Sequence, residues 1–505
     1  MRTSDSANAS FIPQTAGVMI GRSMLAYIPV NLANLLVSFG TIVVLTRLLN
    51  GEEFGRYALA VVTMHFTHMG LFTWLEAAMA RFQARAERED NVNSHLRTIY
   101  SYAVTTGAAG LALIMVTLWA LPLSGTMKLI LVAAMTTTTV QIFMNLGMEA
   151  HKAAHRIKRY SVTYSTQTIF SFSLGILLIL LTPLREVAPF IGIFVGLIFA
   201  LMIDLPFMIK RMKGGAVQPQ KAKTYFTYGM PICISLLLAY ALNSADMYII
   251  AGLMGEASAG QYNAGYNLAN RSLEMIFVWL SMAVTPIAVT LLEKEGVEKS
   301  KEVMRDYGAS LLWIAMPAAT GIALVSKEFG FVLGESVRDG AVTVMPLIAF
   351  AAVLNGLISY YAQRAFMLSG KTSMFMWAMT PPVILNIGMN FWLIPKFGLM
   401  GAVYATVVSY TLGFMLAMIV GRRFYPLPVP VRAFFEIGFC CLGMAAIVKF
   451  ITLPIGTPDF IALAIKGSIG AITYFALAMG IDAAKSRTLV QKFISDRALK
   501  KSVTP

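Results

Sequence analysis

The chain has 505 residues, of which 57% are hydrophobic and only 13% are charged, and its mean hydropathy is +0.69. This composition excludes a soluble globular protein and is typical of a chain that crosses a membrane many times. The net charge of +15 would suit nucleic-acid binding, but the basic residues are spread over short loops, so we expect no nucleic-acid partner.

Long apolar stretches without alternating polar residues predict an all-α polytopic membrane protein rather than a β-barrel. Each stretch reaches the roughly 20 residues that a membrane span requires. The first 20 residues contain no continuous apolar core, so we expect no cleaved signal peptide. The fourteen predicted spans are 24–46, 57–77, 99–121, 127–148, 161–182, 189–209, 228–252, 265–292, 307–326, 342–363, 373–394, 400–420, 433–453 and 461–481.

The basic residues are distributed unequally between the two sides of the membrane. With fourteen spans, thirty of the 40 lie on the side of both termini and nine lie on the other side, counting Lys128, Lys449 and Lys466 in the outer ends of spans. Arg271 also lies inside a span. Cytoplasmic loops retain Lys and Arg, so both termini should be cytoplasmic. The basic loops should also attract anionic membrane lipids.

The two halves of the chain share a pattern. Leu48-Leu49, followed after five residues by Gly55-Arg56-Tyr57, matches Leu253-Met254 and Gly260-Gln261-Tyr262 at an offset of 205. An even number of spans per half gives both halves the same orientation, which predicts two six-helix lobes around a central cavity. The predicted regions are the N-lobe 1–209, a flexible cytoplasmic linker 210–226, the C-lobe 227–420, and 421–505, which holds the last two spans and a cytoplasmic amphipathic tail.

Polar residues inside the spans form helical stripes, as expected where one helix face lines water. They occur in spans 1, 2, 7 and 8, which are equivalent pairs of the two halves. As cavity-lining, substrate-binding candidates we take Asn31, Asn34, Asn243, Asn267, Asn270, Arg271 and Glu274, and as ion-coupling candidates His65, His68, Glu76 and Asp246.

Arg271 is the most specific candidate for substrate binding, because a guanidinium makes paired hydrogen bonds to phosphate and stays charged when desolvated. Glu274 lies three residues further along the helix, so an internal salt bridge is the alternative. Arg47, at the outer end of span 1, could attract an anion or lie in the lipid interface.

The ion-coupling candidates could exchange protons with the two sides of the membrane, or they could only hydrogen-bond between helices. His65 and His68 lie three residues apart, yet no cysteine or further histidine is close in sequence. We therefore expect no metal site. The three cysteines, all in predicted spans, are expected to pack in the interior without forming a disulfide.

Two segments carry a family resemblance: Thr46–Tyr57 (TRLLNGEEFGRY) and Ile394–Ala402 (IPKFGLMGA). They resemble the polysaccharide transporter branch of the multidrug/oligosaccharidyl-lipid/polysaccharide exporter superfamily. The likeness extends over nearly the whole chain in length, span count and span order. Gly55, Gly398 and Gly401 suit tight turns and close helix approach, so the motifs identify an architecture and not a cargo.

The resemblance implies a flippase of the bacterial inner membrane that uses no cofactor and catalyses no covalent reaction. Its cargo would be an undecaprenyl-diphosphate-linked oligosaccharide for O-antigen, capsule or exopolysaccharide synthesis, moved by alternating access. A polysaccharide polymerase and chain-length proteins are the implied partners. Three alternatives stay open: a peptidoglycan lipid-precursor flippase, a multidrug exporter of the same superfamily, and a membrane glycosyltransferase or polymerase.

Overall fold

A computed structural model describes residues 14–454 and 456–487, with side chains from Pro29 onward except that of Ala283. Nearly all of the amphipathic tail predicted from sequence lies outside these residues. Every regular element in the described part of the chain is helical, as predicted. The helices are α1 (Gln14–Leu48), α2 (Gly51–Leu71), α3 (Thr73–Arg88), α4 (Val92–Ala120), α5 (Gly125–Ala153), α6 (Ile157–Leu181), α7 (Ala188–Met212), α8 (Pro219–Ser244), α9 (Asp246–Met254), α10 (Glu256–Glu295), α11 (Val297–Leu324), α12 (Ser326–Phe329), α13 (Glu335–Gly356), α14 (Gln363–Leu368), α15 (Thr372–Phe397), α16 (Leu399–Gly421), α17 (Val431–Lys449) and α18 (Asp459–Gly480).

Twelve spans within the described residues are long and apolar enough to cross a membrane, and the bent pair α2 and α3 would make thirteen. The predicted eleventh span corresponds to α15, a 26-residue helix that does not reach the same apolarity. Pro381, Pro382, Asn386 and Asn390 lower its hydropathy. The expected number of fourteen therefore stays a prediction.

Three predicted spans are not continuous α-helices. The span 57–77 bends by 52° between α2 and α3, at Phe72. The span 228–252 divides at Ala245 into α8 and α9. The span 342–363 contains a π-helical turn, Leu357–Ala362, between α13 and α14. Apolar composition specifies membrane helices but does not locate such breaks, which depend on packing and on polar contacts between helices.

The helices pack into two compact units. Within the described residues, unit 1 consists of 14–41 and Thr63–Cys233, and unit 2 of Ile42–Val62, 234–454 and 456–487. In unit 1, α3, α4, α5, α7 and α8 enclose one apolar core around fully buried Leu75, Leu96 and Ile142. In unit 2, α10 packs on α11 and α13, α15 packs on α16, and α17 packs on α18. The lobe boundaries taken from the sequence stay predictions.

The segment predicted as a linker is short outside its helices. Lys210 lies in α7 and α8 begins at Pro219, so only residues 213–218 are non-helical. This turn is hydrogen-bonded to the start of α4: the Asn93 amide donates to the Lys213 carbonyl at 2.9 Å, and the Arg97 guanidinium donates to the Gly215 carbonyl at 3.0 Å. The turn therefore belongs to unit 1.

Candidate functional site

The bend between α2 and α3 holds a polar cluster of unit 1. The Glu76 carboxylate, four residues after the bend, lies 2.9 Å from Nε2 of His68, which precedes the bend by one turn. Asn145 of α5 donates its amide to the same Glu76 oxygen at 2.8 Å. Glu76 is thus held by two helices, and the break at Phe72 brings its carboxylate back toward His68.

The contact between His68 and Glu76 is largely shielded from solvent. Both the His68 and the Glu76 side chain are mostly buried, at 16% and 20% exposure. The other ring nitrogen of His68, Nδ1, is buried and has no hydrogen-bond partner in the part of the chain that the structure describes. A neutral imidazole that donates from Nε2 leaves Nδ1 as a free acceptor.

The other predicted polar residues of unit 1 lie outside the cluster of His68, Glu76 and Asn145. Asn34 of α1 accepts a hydrogen bond from the Tyr164 hydroxyl at 2.9 Å, which ties α1 to α6. Asn31, one turn earlier, is exposed. His65 is also exposed, one turn before His68 on α2. Among the unit 1 candidates, the structure therefore brings His68 and Glu76 together.

Unit 2 contains a buried network of hydroxyls around Asp246. The Asp246 carboxylate accepts hydrogen bonds from the Tyr262 hydroxyl, from Thr406 at 3.5 Å and from the Met247 backbone at 3.0 Å. Asp246 is 1% exposed, and both Tyr262 and Thr406 are fully buried. Because burying a carboxylate is costly without donors, α9, α10 and α16 must stay together for this side chain to be accommodated.

A second hydroxyl pair extends this network to Asn243. The Asn243 side-chain oxygen accepts from Tyr410 and, at 3.4 Å, from Tyr266, and the two tyrosine hydroxyls are 2.9 Å apart. Sequence reasoning selected Asn243 and Asp246 but missed the tyrosines and Thr406. Their sequence signal was weak, because tyrosine and threonine are common in membrane helices. Thr406 and Tyr410 are also 160 and 167 residues away from Asp246 and Asn243, respectively.

Helix α10 carries the remaining candidates. Arg271 and Glu274 form the expected ion pair, with a guanidinium nitrogen 3.0 Å from a carboxylate oxygen, yet their side chains are 48% and 36% exposed. Asn267 donates to the backbone of its own helix, to the Asn263 carbonyl at 3.0 Å. Asn270 is partly buried beside Arg271. The pair leaves a large part of the Arg271 guanidinium accessible, so ion pairing and anion binding are compatible.

Arg364 is a cation that sequence analysis did not select. It lies in α14, directly after the π-helical turn, and donates to the Ser281 hydroxyl of α10 at 2.6 Å and to the Tyr360 carbonyl at 3.3 Å. Its position at the end of a predicted span made it look like an ordinary loop residue.

The family motif after α1 packs within unit 2. Gly55 lies so close to the start of α10 that a Cβ atom on it would be 1.8 Å from the Glu256 carbonyl oxygen. Arg56 pairs with the Glu256 carboxylate at 2.9 Å, and Arg47 donates to the Phe331 carbonyl at 2.9 Å. The motif therefore joins two helix starts through close backbone contact, as its glycines suggested.

No group of three or more His, Cys, Asp or Glu side chains converges as a metal site among the residues with described positions. Cys233, Cys440 and Cys441 are buried free thiols. The third side chain beside His68 and Glu76 is that of Asn145, and its amide group donates a hydrogen bond to the Glu76 carboxylate.

Two curated relatives from Haloferax volcanii are similar to part of the chain. The probable flippase AglR is 28% identical over 269 residues, which is 50% of this chain and 52% of AglR. The probable low-salt glycan biosynthesis flippase Agl15 is 20% identical over 291 residues, which is 56% of this chain and 60% of Agl15. The chain thus spans between about half and three fifths of the length of these relatives.

Solved structures resemble the fold over a larger part of the chain. The lipid II flippase MurJ, in an inward closed conformation, superposes with a TM-score of 0.73 at 13% identity over 92% of this chain and 100% of MurJ. A multidrug resistance MATE family transporter, in an inward-facing conformation, gives a TM-score of 0.63 at 14% identity over 79% of this chain and 98% of the transporter. At such identities the likeness shows the fold alone.

The family model described as polysaccharide biosynthesis protein matches residues 44–339, which include the motif Thr46–Tyr57, the hydroxyl network up to Tyr266 and the Arg271–Glu274 pair. The resemblance read from the sequence is confirmed: this chain belongs to the polysaccharide biosynthesis protein family.

Proposed function

We propose that this protein is a flippase that moves a lipid-linked oligosaccharide across the bacterial inner membrane by alternating access. The observation that carries the proposal is the half-exposed ion pair of Arg271 and Glu274. Arg271 lies six residues inside the predicted span 265–292, roughly 9 Å along helix α10 from the outer end of that span. A charged pair at that depth is unfavourable against acyl chains, so water or a polar ligand must face it.

The proposed cargo is an undecaprenyl-diphosphate-linked repeat unit, taken from the cytoplasmic to the outer leaflet. Sugar hydroxyls and diphosphate charges would lose their hydration at the centre of a bilayer, whereas the prenyl tail would not. Arg271, with Asn267 and Asn270 on the same helix, offers donors for such a head group. The relatives AglR and Agl15, both named as probable flippases, support this class of activity.

Asn31, Asn34 and Asn243 complete the proposed polar lining. Asp246, Glu76 and His68 are the proposed ion-coupling groups, with His65 as an exposed neighbour on α2. Asp246 is buried and Glu76 is mostly buried, and each carboxylate accepts a hydrogen bond from a second helix. Such a group changes its contacts when it gains a proton, which would link its charge to helix positions.

The decisive experiment is reconstitution of the purified protein into liposomes with a fluorescent undecaprenyl-diphosphate oligosaccharide in the inner leaflet. A membrane-impermeant glycosidase added outside should cleave the cargo over time only in vesicles that contain the protein. Cleavage no faster than in protein-free vesicles would reject the proposal. Incubation without glycosidase tests the enzyme alternative, since release or elongation of the glycan would reveal covalent chemistry.

A peptidoglycan-precursor flippase is the second candidate, favoured by the superposition on MurJ over nearly the whole chain. Both cargoes carry a prenyl diphosphate, so the polar stripe of α10 does not separate them. The same vesicles loaded with lipid II distinguish the two, because the true cargo should be moved faster at equal concentration.

Both termini are proposed to lie in the cytoplasm, with a polysaccharide polymerase and chain-length proteins as assembly partners. Fusion of an enzyme that is active only outside the cytoplasm to the C-terminus should give no signal. Fusion of the same enzyme within 121–124, the turn between α4 and α5 on the predicted outer side, should give activity.

A further inference from the structure

A polar cavity of about 530 Å³ opens at one end of unit 2. It lies where α1 ends and where α2 and α13 begin. The topology proposed from the distribution of basic residues places it at the outer face of the membrane. Its lining consists of Thr46–Asn50, Leu333–Ser336 and Arg338.

Two guanidinium groups give this cavity a positive charge. Arg47 donates to the Phe331 carbonyl at 2.9 Å, and Arg338 donates from one terminal nitrogen to the Leu333 carbonyl at 3.2 Å. The Arg338 Nε is buried and lacks a hydrogen-bond partner within the described ranges. Glu335 supplies one exposed carboxylate against the two cations. With two guanidinium groups against one carboxylate, the cavity lining carries a net positive charge, which favours an anionic ligand.

The start of α13 adds backbone donors to the same cavity. Its N-cap is Gly334, which has no side chain to cap the first turn of this 22-residue helix. The amide of Gly334 donates to the Thr46 hydroxyl at 3.1 Å, and a Cβ atom on Gly334 would be 1.7 Å from the Thr46 carbonyl oxygen. Glycine at this position therefore holds the helix start against the end of α1. The positive end of the helix dipole adds to the two guanidinium charges.

We infer that this cavity binds the phosphate or diphosphate group of the translocated lipid-linked glycan after it reaches the outer face. The inference rests on the proposed function for the identity of the lipid. Arg47 and Arg338 would bind the anionic oxygens through paired N–H groups, and α13 would contribute its first amides. A phospholipid head group shares this chemistry and is the competing source of phosphate.

Binding can be measured without transport. Purified protein in nanodiscs of phosphatidylcholine is titrated calorimetrically with inorganic pyrophosphate, and we expect saturable binding. Arg338→Ala and Arg47→Ala should each weaken the affinity about tenfold or more, because each removes a charged hydrogen-bonding fork. Arg338→Lys keeps the positive charge but not the planar guanidinium, so its affinity for pyrophosphate should lie between those of the wild type and Arg338→Ala. Lys396→Ala, at an exposed cation stacked on Trp392, should leave the affinity unchanged.

Equal affinity in the wild type and in both alanine variants, each with an unchanged melting temperature, would overturn the inference. Nanodiscs that contain phosphatidylglycerol test the source of the phosphate. Loss of pyrophosphate binding there would assign the cavity to bulk phospholipid and overturn the cargo assignment, whereas retained binding supports it. Absence of glycan transport by the wild type would reject the proposed function separately, since titration does not depend on transport.

Discussion

Gly260 lies backbone against backbone with Gly55: a Cβ atom on Gly260 would be 3.0 Å from the Gly55 nitrogen and 3.1 Å from its Cα. These are the two glycines that the internal repeat places at equivalent positions, 205 residues apart. The repeated motif therefore contacts its own copy. A position without a side chain is required on both sides of this contact, which explains why the pattern retains glycine in each half.

Gly55→Ala should destabilise unit 2. The added methyl group would be 1.8 Å from the Glu256 carbonyl oxygen, and because both sides are backbone, one helix start must move. We expect a loss of about 1–3 kcal/mol in the free energy of unfolding, measured as a lower melting temperature by tryptophan fluorescence. Gly252→Ala is the matched control, since nothing lies within 4 Å of its Cβ position. Equal melting temperatures for both variants would contradict the close contact.

Arg271→Ala should slow glycan translocation about tenfold or more while leaving the amount of protein in the vesicles unchanged, because it removes charge-assisted donors from a half-exposed side chain. Arg271→Lys should recover part of the rate, since it keeps the charge without the planar fork. Arg432→Ala removes an exposed arginine from a comparable pair with Glu436 and should transport normally. Wild-type transport by Arg271→Ala would exclude a role in cargo binding.

Glu76→Gln and Asp246→Asn test proton coupling. Each change keeps the shape of the side chain and one acceptor oxygen but removes the charge that a proton would neutralise. The variant at a carboxylate that couples proton movement to translocation should lose the response of the translocation rate to an imposed pH gradient. Glu52→Gln, at a side chain 71% exposed on α2, is the control and should keep the full response. An unaltered response in both variants would assign these carboxylates to helix packing.

Tyr262→Phe should lower the stability of unit 2. Its hydroxyl donates to the buried Asp246 carboxylate, and without it that carboxylate keeps Thr406 and the Met247 backbone as its remaining described donors. We expect a loss of about 1–3 kcal/mol in the free energy of unfolding, which chemical denaturation can measure. Tyr404→Phe, an exposed tyrosine of α16, should have little effect. Equal loss in both variants would mean that the hydroxyl contact is not the cause.

The sequence predicted what depends on composition and length. The apolar stretches predicted the positions of the helices. The stripes of amides and charges selected Asp246, Glu76 and His68, whose side chains make hydrogen bonds to other helices or across the bend, while their proposed role stays a prediction. The sequence did not predict the bend at Phe72, because glycine is frequent in membrane helices, so Gly70, two residues earlier, does not by itself indicate a break. The bend accompanies hydrogen bonds between helices, including the donation from Asn145, which sequence proximity cannot show.

The hydroxyl network was missed for a related reason. Tyr262 and Tyr410 are amphipathic side chains that occur in membrane helices in many roles, so their identity alone carries little information. They acquire a role through Asp246 and Asn243, which lie on other helices. Tertiary contacts of this kind require coordinates, whereas the charge of Arg271 inside a span was already evident in the sequence.

The assignment of Ile42–Val62 to unit 2 has a consequence for the continuity of the chain. The backbone leaves unit 1 after Thr41, returns to it at Thr63 and leaves it again after Cys233. A proteolytic cut in the turn 213–218 would produce two fragments. The first would carry Ile42–Val62, which belongs to unit 2 together with most of the second fragment. The first fragment would lack 219–233 of unit 1 and the second would lack Ile42–Val62 of unit 2, so both fragments are needed to form either complete unit.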